Sequence, residues 1–430
     1  MSKHRVLILL FISIVIIVTI KYVFAWEFIL EGEVRETFDD NIESTVETFF
    51  EKKKYDFITG MILGLGARNE GKTYTLDIIG HVRQQIFARH FDLTNNNQDI
   101  TVSLSKDFSE LISFSINDSF RHYPEAERFE DLFGNVQGRT WYWSNDFGLN
   151  GILEVNKYYM ISINYNNQFS KYFYTRTRQY YLNNYFYSNY SNQNLEYSLT
   201  QTARMQHEFH WDSSNNIYIF YEYQWTKQNL NGIFQTHRPG IGYRHDFTRQ
   251  LFVEARISPD IVLPPHDIRT LYSVYGIQML ISPQELYYVT LYTYAALSND
   301  VDEQTNATLS FTYQNSIIAN SADTTTNWQI AGDVTRQLLD RLAFTSSIFY
   351  GQAYFYASRS TNRLFGFSLS IAYEITEHVS GSIGYDFTLN NMQQDGYGLF
   401  RGYVWYNGAY IRENSGYLRN RATIGITAEL

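Results

Sequence analysis

From Thr73 to Arg89 the chain alternates for 17 residues. One face reads Tyr74, Leu76, Ile78, Gly80, Val82, Gln84, Ile86 and Ala88. The other reads Thr73, Thr75, Asp77, Ile79, His81, Arg83, Gln85, Phe87 and Arg89. A period of two belongs to an extended strand whose two sides meet different surroundings. Strands of soluble sheets run to about 5–6 residues, so this length points to a strand with acyl chains on one side and water on the other. The same pattern returns at Ile112–Asn117, Trp328–Thr335, Phe365–Glu374 and Val379–Asn390. No stretch shows a comparable helical period of 3.6, and no glycine-rich phosphate-cradling loop occurs.

The one long apolar run is at the N-terminus. Lys3, His4 and Arg5 precede the 15 residues from Val6 to Ile20, which only Ser13 and Thr19 interrupt. At about 1.5 Å per residue this spans roughly 22 Å, short of a ~30 Å hydrocarbon core. Val23-Phe24-Ala25 then offers a small-residue cleavage site, with Trp26 as first mature residue. Residues 1–25 therefore read as a signal peptide and 26–430 as a single barrel domain. After Phe28–Leu30 no apolar run approaches the ~20 residues of a spanning helix. A mature chain living in a membrane must then cross as a closed barrel, because lipid offers no partners to an open sheet edge.

Composition fits. There are 37 Tyr, 31 Phe and 7 Trp against 6 Pro, and 44% of residues are hydrophobic, which favours strands and excludes disorder. With no Cys, the chain has no disulfide scaffold, thiolate metal site, cysteine nucleophile or lipoprotein acyl anchor. Losing Lys3, Arg5 and Lys21 with the signal takes the net charge from −10 to −13, which excludes a general attraction for nucleic acid.

Short connections recur as an apolar residue, Ser or Thr, then polar residues. Asp246-Phe247-Thr248-Arg249-Gln250-Leu251 resembles Asp333-Val334-Thr335-Arg336-Gln337-Leu338, with variants at Asp107–Leu111, Leu280–Gln284 and Glu374–Val379. Longer polar connections run over Pro124–Gly138, Arg176–Gln193, Asn299–Asp323 and Asn391–Ser415. The fold class is all-β: a transmembrane up-and-down antiparallel β-barrel of about 18 strands (range 16–20), with short periplasmic turns and long extracellular loops. The strands fall near 28–38, 55–69, 72–91, 97–107, 109–122, 138–152, 155–175, 198–211, 215–228, 236–247, 249–258, 268–282, 285–300, 324–336, 340–357, 363–376, 380–391 and 416–430. Segment 304–318 is assigned to a structured loop, and both termini lie on the short-turn side.

The chain ends Thr423-Ile424-Gly425-Ile426-Thr427-Ala428-Glu429-Leu430. This resembles the C-terminal β-signal read by the outer-membrane insertion machinery, with Thr423, Gly425, Ala428 and Leu430 at its positions and Leu430 in place of an aromatic. Glu36-Thr37-Phe38-Asp39-Asp40-Asn41-Ile42, Tyr55-Asp56-Phe57-Ile58-Thr59 and Gly64-Leu65-Gly66 accompany the repeated strand–turn–strand units. On these motifs the chain resembles the β-barrel porin-2 family. The resemblance implies an outer-membrane barrel linked to exopolysaccharide and exosortase gene clusters, and it carries over no catalytic residues.

Function classes follow. A porin-like, water-filled channel for small polar solutes would be lined by Asp77, His81, Arg83, Arg89, Glu254, Arg256, Asp333 and Asp386, with a weak cation preference. The acidic loop Glu125–Asp131 is a candidate constriction. Exopolysaccharide export or glycan binding would use the Tyr-rich stretch holding Tyr180, Tyr181, Tyr185 and Tyr187, which also reads as an interfacial aromatic girdle. A structural barrel without conductance is the alternative, and a barrel lipid hydrolase ranks behind it. His207 and His210 fall on opposite strand faces and cannot share a metal, so no enzyme, cofactor or metal is expected. Expected partners are outer-membrane lipid, the insertion machinery, and polysaccharide or its export proteins, with oligomerisation left open.

Overall fold

Each alternating segment becomes a strand of one wall. The computed structural model describes residues 26–42, 54–123, 142–172, 179–182, 185–188, 197–228, 232–248, 250–263, 270–274, 277–281, 288–302, 304–317, 324–355, 360–394, 403–406, 409–412 and 417–429. The first seven strands are β1 (Glu27–Asp39), β2 (Asp56–Glu70), β3 (Tyr74–Phe87), β4 (Asn95–Ser109), β5 (Ile112–Tyr123), β6 (Tyr142–Asn156) and β7 (Tyr159–Tyr172). A small hairpin, β8 (Gln179–Leu182) and β9 (Tyr185–Ser188), follows. The wall resumes with β10 (Tyr197–His210), β11 (Asn215–Gln228), β12 (Gly232–Asp246) and β13 (Leu251–Leu263). A second hairpin, β14 (Thr270–Val274) and β15 (Ile277–Ile281), precedes β16 (Tyr288–Asp302), β17 (Thr305–Ile317), β18 (Thr324–Leu339), β19 (Leu342–Phe355), β20 (Ser360–Thr376) and β21 (Val379–Gln394). A third hairpin, β22 (Tyr403–Tyr406) and β23 (Ala409–Arg412), leads to the last strand, β24 (Tyr417–Glu429).

Eighteen strands form one sheet, each antiparallel to its neighbours, and the three hairpins form separate two-stranded sheets. The sheet closes where β1 pairs with β24, from Glu31 opposite Glu429 to Asp39 opposite Arg421. Closure removes every sheet edge from the wall, as an up-and-down barrel requires. Eight tight turns lie at one end, with the start of β1 and the end of β24. Connections at the other end vary widely: only 229–231 separate β11 from β12, whereas 173–196 lie between β7 and β10.

The strand count agrees with the expected 18 through two compensating differences. Segment 304–318, expected as a loop, supplies β17, paired with β16 and β18. Segment 268–282, expected in the wall, instead holds the β14–β15 hairpin outside the main sheet. Asp333–Leu338, expected as a turn, continues β18, and the chain reverses between Leu339 and Leu342. The signal segment, the acidic loop 125–131, Ser282-Pro283-Gln284 and Leu430 lie outside the described residues.

The exposed large apolar side chains of the wall point away from the bore. Leu63 and Leu65 on β2, Ile348 on β19, Ile383 on β21 and Ile424 and Ile426 on β24 are all more than half exposed. Their neighbours along each strand are Ser, Thr or Gly, except Ile62 beside Leu63 and Phe349 beside Ile348. An outer face this apolar on a barrel without edges is matched by lipid, not water. The small buried apolar cluster, Ile42, Ile58 and Phe87 with Leu93 against it, sits at the end opposite the tight turns.

Candidate functional site

The inner wall of the barrel carries the chemistry, because alternation turns every second side chain toward the bore. Two charged sectors stand on it. The first is built from β1–β4 and from β21 and β24 beside the seam. Asp77 accepts from Arg68 Nε at 2.6 Å. His81 lies between two carboxylates, Nδ1 at 2.7 Å from Asp99 Oδ2 and Nε2 at 3.1 Å from Glu31 Oε2. Glu31 is two strands away from His81, and Gly64 of β2 stands between them in register. A Cβ on Gly64 would come within 2.8 Å of the imidazole and 3.0 Å of Glu31. The glycine therefore allows contact across an intervening strand. Arg83 Nη2 reaches Asp99 Oδ1 at 3.2 Å. Arg35 and Arg421 line a recess of about 310 Å³ together with Asp386.

The second sector lies on β10–β13 and β16. Arg238 donates from Nη1 to Glu222 Oε1 at 2.7 Å and from Nε to Asp260 Oδ1 at 2.9 Å. Arg256 Nε donates to Glu254 Oε1 at 2.6 Å and to the Tyr218 hydroxyl at 2.8 Å, while that hydroxyl donates to Glu254 Oε1 at 2.5 Å. Tyr292 and Tyr294 lie under Arg238 and Arg256, with ring centroids at 5.3 and 5.1 Å from the guanidinium carbons. These contacts hold the guanidinium groups against the wall. Strand order puts β12 nine strands from β1 around the eighteen, so the sectors face each other across the bore.

Between them the wall is hydroxyl and amide. β5–β7 present Ser115, Asn117, Asn150, Ser162, Asn164 and Asn166. On the opposite arc, Ser347 and Ser368 hydroxyls bond at 2.7 Å, and Thr308 of β17 meets Ser298 at 3.3 Å. Such a surface exchanges hydrogen bonds with water or with a polyhydroxylated solute.

Of the residues singled out in the sequence, Asp77, His81, Arg83 and Asp386 fall in the first sector and Glu254 and Arg256 in the second. Asp333 stands apart on β18, opposite Thr308 and Ser347. Arg89 lies beyond the end of β3: its backbone N–H donates to Asp56 at 2.9 Å and its guanidinium covers the Tyr55 ring at 4.1 Å. Tyr180, Tyr181, Tyr185 and Tyr187 belong to the β8–β9 hairpin, with Tyr180 opposite Tyr187 and Tyr181 opposite Phe186. Thr423 meets Thr37 hydroxyl to hydroxyl at 3.2 Å across the seam, Gly425 stands opposite Arg35, and Ala428 opposite Gly32. Sequence reasoning passed over Glu31, Asp99, Arg204, Glu222, Arg238 and Asp260. For Arg204 the signal was present: it alternates with Ala203 and Met205 on β10, which marks it as a bore residue.

The motifs behind the family resemblance have a structural use. Asp39 is buried at the seam, where Arg419 Nε donates to its two oxygens at 3.1 and 3.0 Å. Asp40 accepts from the Asn420 backbone N–H and Nδ2, both at 2.6 Å, and Asn41 Nδ2 donates to the Leu418 carbonyl at 3.3 Å. Asp56, also buried, accepts from the backbone N–H groups of Arg89, at 2.9 Å, and His90, at 2.8 Å. Asp39-Asp40-Asn41 clamps the first strand to the last, and Asp56 fastens the connection after β3.

No protein-family model matches the sequence, and no curated protein does. Among solved structures, the chain is similar to OccK2 (OpdF) of Pseudomonas aeruginosa, with a TM-score of 0.43 and 7% identity over 94% of this chain and 98% of that one. It is also similar to a loop-deletion mutant of OmpT, an outer membrane protein of Vibrio cholerae, with a TM-score of 0.38 and 11% identity over 94% and 100%. The ferric-catecholate import receptor Fiu of E. coli gives a TM-score of 0.42 and 10% identity over 94% and 82%.

Proposed function

We propose that this chain is a channel of the bacterial outer membrane that passes small polar solutes, hydroxylated ones above all. The observation that carries the reading is the wall itself. Eighteen strands close behind an apolar exterior, and the interior is lined by hydroxyls, amides and mutually paired charges. At 16–18 strands a barrel is wide enough for an aqueous channel. Pairing of the wall charges leaves no strong field of either sign, so selectivity is set by size and hydrogen bonding more than by valence. The role is non-enzymatic.

Service in exopolysaccharide export is the wider setting we propose, on the strength of the motif resemblance and not of the wall. Recognition of the C-terminal strand by the insertion machinery rests likewise on Thr423, Gly425 and Ala428. The test is reconstitution of the full mature chain. Stepwise conductance in planar bilayers, and swelling of proteoliposomes in isotonic glucose, are the expected results. A folded, heat-modifiable barrel that is silent in both assays would replace the channel reading with a structural or glycan-binding barrel.

A further inference from the structure

Arg204 of β10 is directly opposite Glu222 of β11 in register, yet the two form no ion pair. Glu222 turns the other way, to Arg238. Arg238 takes Asp260 as well, and Arg256 takes Glu254. Arg204 is left with an amide, donating from Nη2 to Gln206 Oε1 at 2.7 Å, and with the face of Phe220, whose centroid is 4.4 Å from its guanidinium carbon. No carboxylate of the described residues comes within ion-pairing distance of it, and Glu222 acts on it through space alone. The ring beneath it is itself held: Phe220 is 3% exposed and lies against Gly240, where a Cβ would come within 2.3 Å of it. The guanidinium is therefore oriented before any ligand arrives.

It faces a recess of about 570 Å³ on the bore side, within the roughly 300–1,000 Å³ of small-molecule sites. Arg256 shares the recess, and the rest of its polar lining includes Asn117, Asn150, Ser162, Asn164, Asn166 and Thr202. Amides and hydroxyls both donate and accept, which suits a ring of hydroxyl groups. The planar fork of a guanidinium suits a carboxylate. We propose that this recess binds a saccharide carrying a carboxylate, a uronic-acid unit, with the carboxylate on Arg204 and the hydroxyls on the Asn/Ser/Thr wall. Glu222 also lines the recess, and its charge is engaged by Arg238. The site depends on the channel reading only for the ligand's route into the bore.

The test is equilibrium binding to the full mature chain in detergent micelles by calorimetry, which requires no ion flow. Trigalacturonate, neutral trigalactose and sodium acetate are the probes. Charged hydrogen bonds are strong enough that trigalacturonate is expected to bind at least about tenfold more tightly than trigalactose. Arg204→Gln is expected to bring the two within about twofold of each other, while Glu377→Gln, in the exposed turn between β20 and β21, leaves the ratio unchanged. Equal affinity of the unaltered chain for the acidic and neutral trimers overturns the proposal without recourse to any variant. Acetate as tight as trigalacturonate would reduce the site to a plain anion site and overturn the saccharide. A silent barrel that discriminates the trimers refutes the channel alone; a conducting one that does not refutes this site alone.

Discussion

Asp39 and Arg419 are 380 residues apart in sequence and meet at the seam. Asp39 has no exposed surface and Arg419 is 6% exposed, so removing one partner strands a charge away from water. Breaking such a buried pair typically costs about 3–5 kcal/mol. Asp39→Asn is therefore expected to lower the temperature at which the folded band gives way to the unfolded one on a gel, without changing the strand content of the folded band. An unaltered transition would mean the pair contributes nothing to closure. A second carboxylate lies at the opposite end, in the turn between β10 and β11. Asp212 accepts from the backbone N–H of Ser214 at 2.7 Å, and from Asn215 through its Nδ2 and its backbone N–H at 2.8 Å each. Those donors favour the ionised form and hold its pKa below the ordinary 3.8. With the folded value below the unfolded one, the turn's contribution is complete above the ordinary aspartate range. It is lost as pH falls through the folded value. A carboxyl-carbon titration of Asp212 should have its midpoint below 3.8; one at or above it would remove the assigned hydrogen bonds.

Elements depend on how neighbouring strands share space. Tyr218 of β11 faces Gly242 of β12 in register, and a Cβ there would come within 2.1 Å of the ring. Gly242→Ala must push the ring from its seat, and with it the hydroxyl that links Glu254 to Arg256. Overpacking of this kind costs typically about 1–3 kcal/mol; urea unfolding in micelles would read the loss, and Gly32→Ala, with open space around its Cβ position, is the matched control. The same dependence on neighbours explains what the sequence could and could not reveal. Alternation reports the phase of a strand, so Asp77, His81 and Arg83 were legible as bore residues from β3 alone. It carries no information on register between strands, so Glu31 and Asp99, which complete the His81 cluster, were not. Nor does it report which sheet a strand joins: Thr270–Val274 and Ile277–Ile281 alternate, yet they pair with each other and not with the wall. β17 was misread for the opposite reason. Its bore face is Asn306, Thr308, Ser310, Thr312 and Gln314, the composition of a loop, while Leu309 supplies the exposed apolar face. Arg89 continues the pattern of β3 past the last paired residue, where nothing in the alternation marks an end.

At the scale of the whole barrel, the decisive feature is that most inner-wall charges cancel where they stand. Arg238 with Glu222 and Asp260, Arg256 with Glu254, and Arg68 with Asp77 spend their fields on one another at close range. A permeating ion a few ångströms away meets mainly dipoles, and at physiological salt the Debye length of about 8 Å screens more distant charge further. The weak cation preference expected from the chain's acidity must then come from carboxylates without a cation beside them. Asp333 is the clearest of these. It stands on the neutral arc between Thr308 and Ser347, and has no cationic partner among the described residues. Asp333→Asn is expected to reduce the reversal potential measured across a KCl gradient, while Glu377→Gln, in the exposed turn between β20 and β21, is expected to leave it unchanged. Both variants remove one negative charge, so a dependence on net charge alone predicts equal shifts. Equal shifts would show that position on the bore wall does not govern conduction; a shift confined to Asp333→Asn would show that the pore responds to carboxylates left unpaired on its wall.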